Sequence, residues 1–367
     1  MIAMKRKNWY FRILVAGFLI QTLAIQIVAA QEKQYTKKFH EEYQAGAGDV
    51  LRIENIYGNV TIKNWNQNKV VIDVVATLVG ENQEKADRIL GYVNVDFSYK
   101  DNEIRAVTVL DSKFNSNQVF GNEGRKKFSI DYIINMPEAM QLTLLNKYGD
   151  VAINELSGLV DVNVKYGNLR ANRLKRTDNK PLSQITLGYG NATIDECQWL
   201  KIDMKYSKMS IEKAKALVVI SKYSKLMLTE GSSLVSDAKY DTYEIGTLVN
   251  FAGTGAYTNY RFDKIANKID LNLRYSDCRV DFVPASFESI EIDNSYGSIR
   301  LGIEEGASYQ LDGNARFSKI LYPENMAKVS RIVENTQMQV SGRIGKDEKT
   351  SSRVRVTTEF GNVSLQR

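Results

Sequence analysis

The chain has 367 residues, a quarter of them charged, with 49 Lys and Arg against 43 Asp and Glu, two cysteines and one histidine. Two cysteines, Cys197 and Cys278, cannot frame a disulfide-stapled domain, and His40 alone leaves no partner set for a Ser-His-Asp or Cys-His centre. No metal-ligand spacing and no basic stripe with base-stacking aromatics is present, so no metal, cofactor or nucleic acid is expected.

Residues 1–30 read as a secretory signal peptide. "MKRKNWYFR" is basic, "ILVAGFLIQTLAIQIV" is mostly apolar, and Val28-Ala29-Ala30 is a small-residue cleavage site. The apolar run approaches a spanning length, so an uncleaved anchor is the alternative. Gln21 and Gln26 favour cleavage near Ala30. Removing Lys5, Arg6, Lys7 and Arg12 lowers the net charge from +6 to +2. The expected location is exported, in the periplasm or at the cell surface, with no membrane span after cleavage.

Residues 31–137 form a β-rich N-terminal part. "LRIENIYGNVTIKNW" and "KVVIDVVATLV" alternate as strands. "ENQEKADRILGYV" predicts one short helix, about 82–91, capped by Asn82 with Ala86, Ile89 and Leu90 on its apolar stripe. "VNVDFSYKDNEIRAVTVL" predicts a hairpin turning at Asp101-Asn102. "DSKFNSNQVFGNEGRKK" reads as a loop, and "FSIDYIINMP" as a strand leading into residues 138–367.

That second part repeats itself. A corner aromatic recurs at Tyr148, Tyr166, Tyr189, Tyr206, Tyr223, Tyr240, Tyr257, Tyr275, Tyr296, Phe317 and Phe360, with a first copy at Tyr57 in the N-terminal part, and in most copies a Gly-Asn, Gly-Asp or Ser-Lys pair follows it. The spacing is 17 residues four times from Tyr189 to Tyr257, then 18, 21 and 21. Positions −4, +3 and +5 from the aromatic are apolar almost throughout, as in Ile202, Met209 and Ile211. Each flank alternates with period two and is predicted to be a strand with one buried face. The parity shifts across the aromatic, so a corner absorbs one extra residue, and the Gly-Asn type of pair suits that bend.

The predicted class is all-β: a parallel β-solenoid with ~17–21-residue coils stacked about 4.8 Å apart, and one short helix near the N-terminus. A β-sandwich is the alternative. The aromatics are expected to stack as a ladder inside the corner, since −2 and −4 share their parity. A sugar-binding strip is the other reading. Residues 321–352 interrupt the period, and "QMQVSGRIGKDEKTSS" reads as a polar loop before a last coil, "RVRVTTEFGNVSLQR". The two cysteines fall on well-separated coils and are expected to be free thiols.

These words in this order, with "EKADRIL", "YIINMP", "LLNKYGDVAI" and "TEFGNVSLQ", resemble the putative-adhesin β-solenoid family of bacterial envelope proteins, akin to head-GIN adhesin domains. The resemblance spans most of the chain after residue 30, although "KYSKM" and "KYSKL" replace the usual Gly-Asn. It implies an exported β-solenoid without catalytic residues.

The expected function is a non-catalytic envelope or cell-surface protein with an adhesin-like binding or scaffold role. The candidate binding rib is the column just before the aromatic: Lys147, Lys165, Lys205, Lys222, Lys239, Arg274 and Arg316. Its expected partner is an anionic glycan or another envelope component. A solvated charged edge is the plainer reading, with Asp203 and Asp237 partly neutralising it. The alternative function is a carbohydrate-active β-helix enzyme acting on an acidic polysaccharide. Its carboxylates would come from Asp203, Asp237 and Asp293, which sit two coils or more apart.

Overall fold

The structure is a computed structural model, and it describes residues 33–80, 82–116, 119, 128–178 and 180–366. The signal-peptide reading and most of the loop expected over 111–127 lie outside the described residues. The described chain is all-β apart from one α-helix and one short 3-10 turn, with 26 strands joined into a single mixed sheet.

The N-terminal strands are β1 (Lys33–Gln44), β2 (Val50–Ile56), β3 (Val60–Trp65) and β4 (Lys69–Gly80). Helix α1 (Gln83–Gly91) follows, then β5 (Val93–Lys100), β6 (Glu103–Leu110) and β7 (Phe128–Pro137). Helix α1 starts where expected: Asn82 Oδ1 accepts the Lys85 N–H at 2.9 Å, which satisfies one of the orphan donors of the first turn. Its buried residues are Ala86, Ile89 and Leu90. Strands β5 and β6 pair antiparallel around Asp101 and Asn102, both with positive φ. That is the predicted hairpin turn.

The repeats begin with β8 (Gln141–Lys147), β9 (Val151–Leu156), β10 (Val160–Lys165), β11 (Leu169–Leu174) and β12 (Ser183–Gly188). Five long strands follow: β13 (Asn191–Lys205), β14 (Lys208–Lys222), β15 (Lys225–Lys239), β16 (Thr242–Ala256) and β17 (Asn259–Arg274). Each pairs in parallel with the next, with Ile211 beside Leu228 and Lys205 beside Lys222. A 17-residue spacing in sequence is thus one hydrogen-bonded step in space. The apolar columns line the core, where Ile194, Ile202, Met209, Ile211, Leu226 and Leu228 are all at most 2% exposed. Where the core takes large rings, glycine yields the space. A Cβ on Gly253 would lie 2.5 Å from the Phe251 ring, and one on Gly255 would lie 2.8 Å from the Tyr260 ring.

The sheet is mixed because its ends are antiparallel. At the N-terminal end β4 lies antiparallel on β7 and β1 antiparallel on β4. The C-terminal strands are β18 (Asp277–Val283), β19 (Ser289–Ser295), β20 (Ile299–Ile303), β21 (Tyr309–Arg316) and β22 (Ile320–Leu321). After a 3-10 turn come β23 (Ala327–Glu334), β24 (Gln337–Ile344), β25 (Arg353–Glu359) and β26 (Val363–Ser364). The interruption expected over 321–352 is therefore more than a loop. Met338, Val340 and Ile344 give "QMQVSGRI" a buried alternating face, and it pairs antiparallel with both β21 and β23.

The spatial order there departs from the sequence. Strand β25 lies between β19 and β21, and β26 between β20 and β22. The corner hydrogen bonds follow the same order: Tyr296 N–H donates to Glu359 O, Phe360 N–H to Arg316 O, and Phe317 N–H to Thr336 O. The last repeat of the chain is intercalated, not terminal.

Candidate functional site: a lysine and tyrosine strip

All twelve corner aromatics, from Tyr57 to Phe360, adopt positive φ, between 49° and 66°. A left-handed residue breaks the strand alternation, so the aromatic points outward together with the residue before it. The rings from Tyr148 to Phe360 are 37–52% exposed. This corrects the expected inward ladder. The parity does shift at the corner, but the aromatic itself absorbs the extra residue, not the pair that follows.

The residue after the aromatic has a different task. A methyl group on Gly149 would land on the Gly58 carbonyl oxygen, and one on Gly167 on that of Gly149. Glycine is there for close approach of backbone to backbone. Its place is taken by Ser207, Ser224, Asp241, Thr258 and Ser276 in the middle of the array. There the side chain makes the contact: Ser224 Oγ accepts the Ser207 N–H at 3.2 Å and donates to Lys222 O at 2.9 Å.

The outward rings stack in one continuous file. Centroids from Tyr148 to Tyr275 are 4.9–5.0 Å apart with interplanar angles of 3–17°. The file continues through Tyr296 and Phe360 to Phe317, each step 4.8–4.9 Å. At the other end Tyr57 stacks on Phe114 and meets Phe128 edge-on. Offset stacking contributes about 0.5–1.5 kcal/mol per pair. This helps offset the left-handed backbone, which costs about 1–2 kcal/mol per residue.

The residues of the basic column fall into separated groups along the sheet. Lys147 pairs in register with Lys165, and Lys205, Lys222 and Lys239 are three successive rungs. Gly188 separates the two groups, Ala256 separates Lys239 from Arg274, and Ser295 and Glu359 separate Arg274 from Arg316. The Nζ atoms of Lys147, Lys165, Lys205, Lys222 and Lys239 lie 4.8–5.8 Å from the centroid of the following tyrosine. None of these five forms an ion pair among the described residues. Arg316 is bound to Glu359 and is a weaker candidate.

The sequence reading missed the other side of the file. Two residues past the aromatic stand Lys208 and Lys225, so cations flank Tyr206 and Tyr223 on both sides. Ser207 and Ser224 form the floor of an open trough of about 670 Å³ between Tyr189 and Tyr240. Lys225 is held by Glu244 at 2.6 Å. The signal was present in the "YSK" spelling of these corners, whose lysine sits on the outward parity.

One other charged column is internally neutralised. Glu155, Arg173, Glu196, Lys213 and Glu230 alternate in sign rung by rung. Lys175 and Arg173 hold the Glu155 carboxyl below its ordinary value. Asp203 and Asp237 are exposed and separated by Ile220, hence two rungs or ~10 Å apart, too far to share one glycosidic bond in a retaining geometry. His40 is taken up by Asp73 at 2.7 Å. Cys197 and Cys278 are free and buried, and burial pushes the Cys197 thiol up to about 12, far from a reactive thiolate. Among the described residues no group of His, Cys, Asp and Glu could hold a metal ion, and no helix is long and apolar enough to cross a membrane.

No family model matches the chain, and no curated protein matches it. Several solved structures are similar over most of their length. One is described as a putative adhesin from Parabacteroides merdae ATCC 43184, with 11% identity and a TM-score of 0.33 over 91% of this chain and 96% of that one. A second, a putative adhesin from Bacteroides fragilis NCTC 9343, has 11% identity and a TM-score of 0.32 over 89% and 96%. A third, a putative cell adhesion protein from Clostridium sporogenes ATCC 15579, has 9% identity and a TM-score of 0.23 over 90% and 99%.

Proposed function

We propose that the parallel array is a β-solenoid of ~17–21-residue coils, exported to the cell envelope or surface, and that it acts as a non-catalytic, adhesin-like binding or scaffold protein. Its contact surface is the strip of corner tyrosines with their flanking lysines. One observation carries this reading: Lys205, Lys222 and Lys239 stack on successive rungs with no carboxylate partner among the described residues. Like charges at rung spacing repel by about 1 kcal/mol per pair even in bulk water. An anionic partner relieves that repulsion, and the rigid file of rings holds the ammonium groups in place for it.

The test is a triple charge reversal, Lys205→Glu, Lys222→Glu and Lys239→Glu, in the chain from Gln31 onward. Binding to the envelope fraction at low salt, where such contacts are strongest, is expected to be lost while the thermal melt stays within a few degrees. Unchanged binding would return the strip to a solvated charged edge.

A further inference from the structure

We infer that the strip between Tyr189 and Tyr240 binds a linear polyanion laid parallel to the stacking axis, and grips it by hydrogen-bond donors instead of by stacking on sugar rings. This rests on the binding role proposed for the strip and specifies the ligand. The geometry of the rings decides between the two modes. A sugar stacks on an aromatic face, but here both faces of each ring are covered by the rings 4.9–5.0 Å above and below. What remains open is the ring edge and the phenolic hydroxyl. The hydroxyls of Tyr189, Tyr206, Tyr223 and Tyr240 make no hydrogen bond to protein among the described residues, although these rings are 41–47% exposed. The strip is therefore a row of donors at constant pitch.

The charges tell the same story. Lys205, Lys208, Lys222, Lys225 and Lys239 surround three consecutive rings, while the facing acids are Asp203, Asp237 and Glu244. Glu244 is already engaged by Lys225. Repetition along one axis favours a ligand that also repeats, because each further unit binds as an intramolecular step. Carboxylates of an acidic polysaccharide and phosphates of a phosphodiester or polyphosphate chain share this chemistry. A compact monovalent anion would gain nothing from the other rungs.

Calorimetry on the chain from Gln31 onward separates the cases. The probes are oligogalacturonates of increasing length, linear polyphosphates of matching length, and neutral dextran oligomers. One or both acidic series should bind with affinity that rises with length and then levels off once the lysine rungs are filled, and the series that binds identifies the source. The neutral series should not bind. The variant Tyr206→Phe, Tyr223→Phe, Tyr240→Phe keeps the stacked rings and the melt but removes three hydroxyls. It should weaken polyanion binding about tenfold, equivalent to about 1.4 kcal/mol. Binding of neutral dextrans, length-independent affinity, or a triple Phe variant of unchanged affinity would each overturn the inference. If no acidic oligomer binds while the charge-reversal variant still loses the envelope, the binding role stands and this account of its ligand falls.

Discussion

The same corner is built in two ways along the array. In the early repeats, at Tyr57, Tyr148, Tyr166 and Tyr189, glycine follows the aromatic and the backbones of successive repeats press together. From Tyr206 to Tyr275 the following residue is Ser, Thr or Asp, and a side-chain oxygen takes the place of that contact. Thr258 N–H, for example, donates to Ser276 Oγ at 3.0 Å. Both kinds keep the left-handed aromatic and the outward ring. The left-handed residue thus defines the fold at the corner, and the residue after it is a choice between no side chain and one that hydrogen-bonds.

Three sets of variants probe that comparison. The ceiling is the core that both corners enclose: Ile211→Asp buries an unpaired carboxylate and is expected to cost at least about 4 kcal/mol. Thr193→Asp, on the outward parity of the neighbouring repeat, should stay within about 0.5 kcal/mol. Equal thermal melts for the two would refute the assignment of faces. Next, Gly167→Ala drives a methyl group into the Gly149 carbonyl and is expected to cost about 3 kcal/mol, because backbone cannot rotate away. Ser224→Ala leaves the buried Ser207 N–H without its acceptor and should cost about 1–2 kcal/mol by denaturant unfolding. A Gly167→Ala effect no larger than the serine one would mean the glycine corner has slack.

The smallest effect concerns Asp241, the one carboxylate in the hydroxyl corner series. It accepts from Ser224 N–H at 2.6 Å and from Ser221 Oγ and Lys239 N–H at 2.8 Å, yet burial raises its pKa. A carboxyl whose folded value lies above its unfolded value, about 3.9, destabilises the fold once ionised. That cost should appear as pH rises from about 4 through the raised folded value, and be full above it. Asp241→Ser restores the hydroxyl found at Ser224 and should flatten this segment of the stability–pH curve. A curve that is unchanged by the substitution would assign the dependence elsewhere.

Much of this was legible from the chain alone. The apolar columns at −4, +3 and +5 are buried as read, because period-two alternation ties side-chain direction to sequence position. The helix start at Asn82 and the hairpin at Asp101-Asn102 carry local chemistry and were legible too. The ring direction was not, since tyrosine is a rare left-handed residue and its neighbour glycine offered the easier explanation. The lysines of the rib were found by their column, whereas Lys208 and Lys225 belong to the flank beyond the corner and needed the corner geometry. The position of β25 was invisible for another reason: its register matches β19 and β21 equally well, so sequence order was the only guide, and it misled.

That intercalation gives the C-terminus a mechanical meaning. A repeat stacked at the end of an array is held on one side and peels away rung by rung. Strand β25 is gripped on both sides, seven residues against β19 and seven against β21. Tension applied along residues 353–359 loads two parallel ladders in shear at once, as a bolt is loaded between two plates. The repeats of Tyr296 and Phe317 are joined through residues 353–364, so this end of the molecule is closed only with that segment in place.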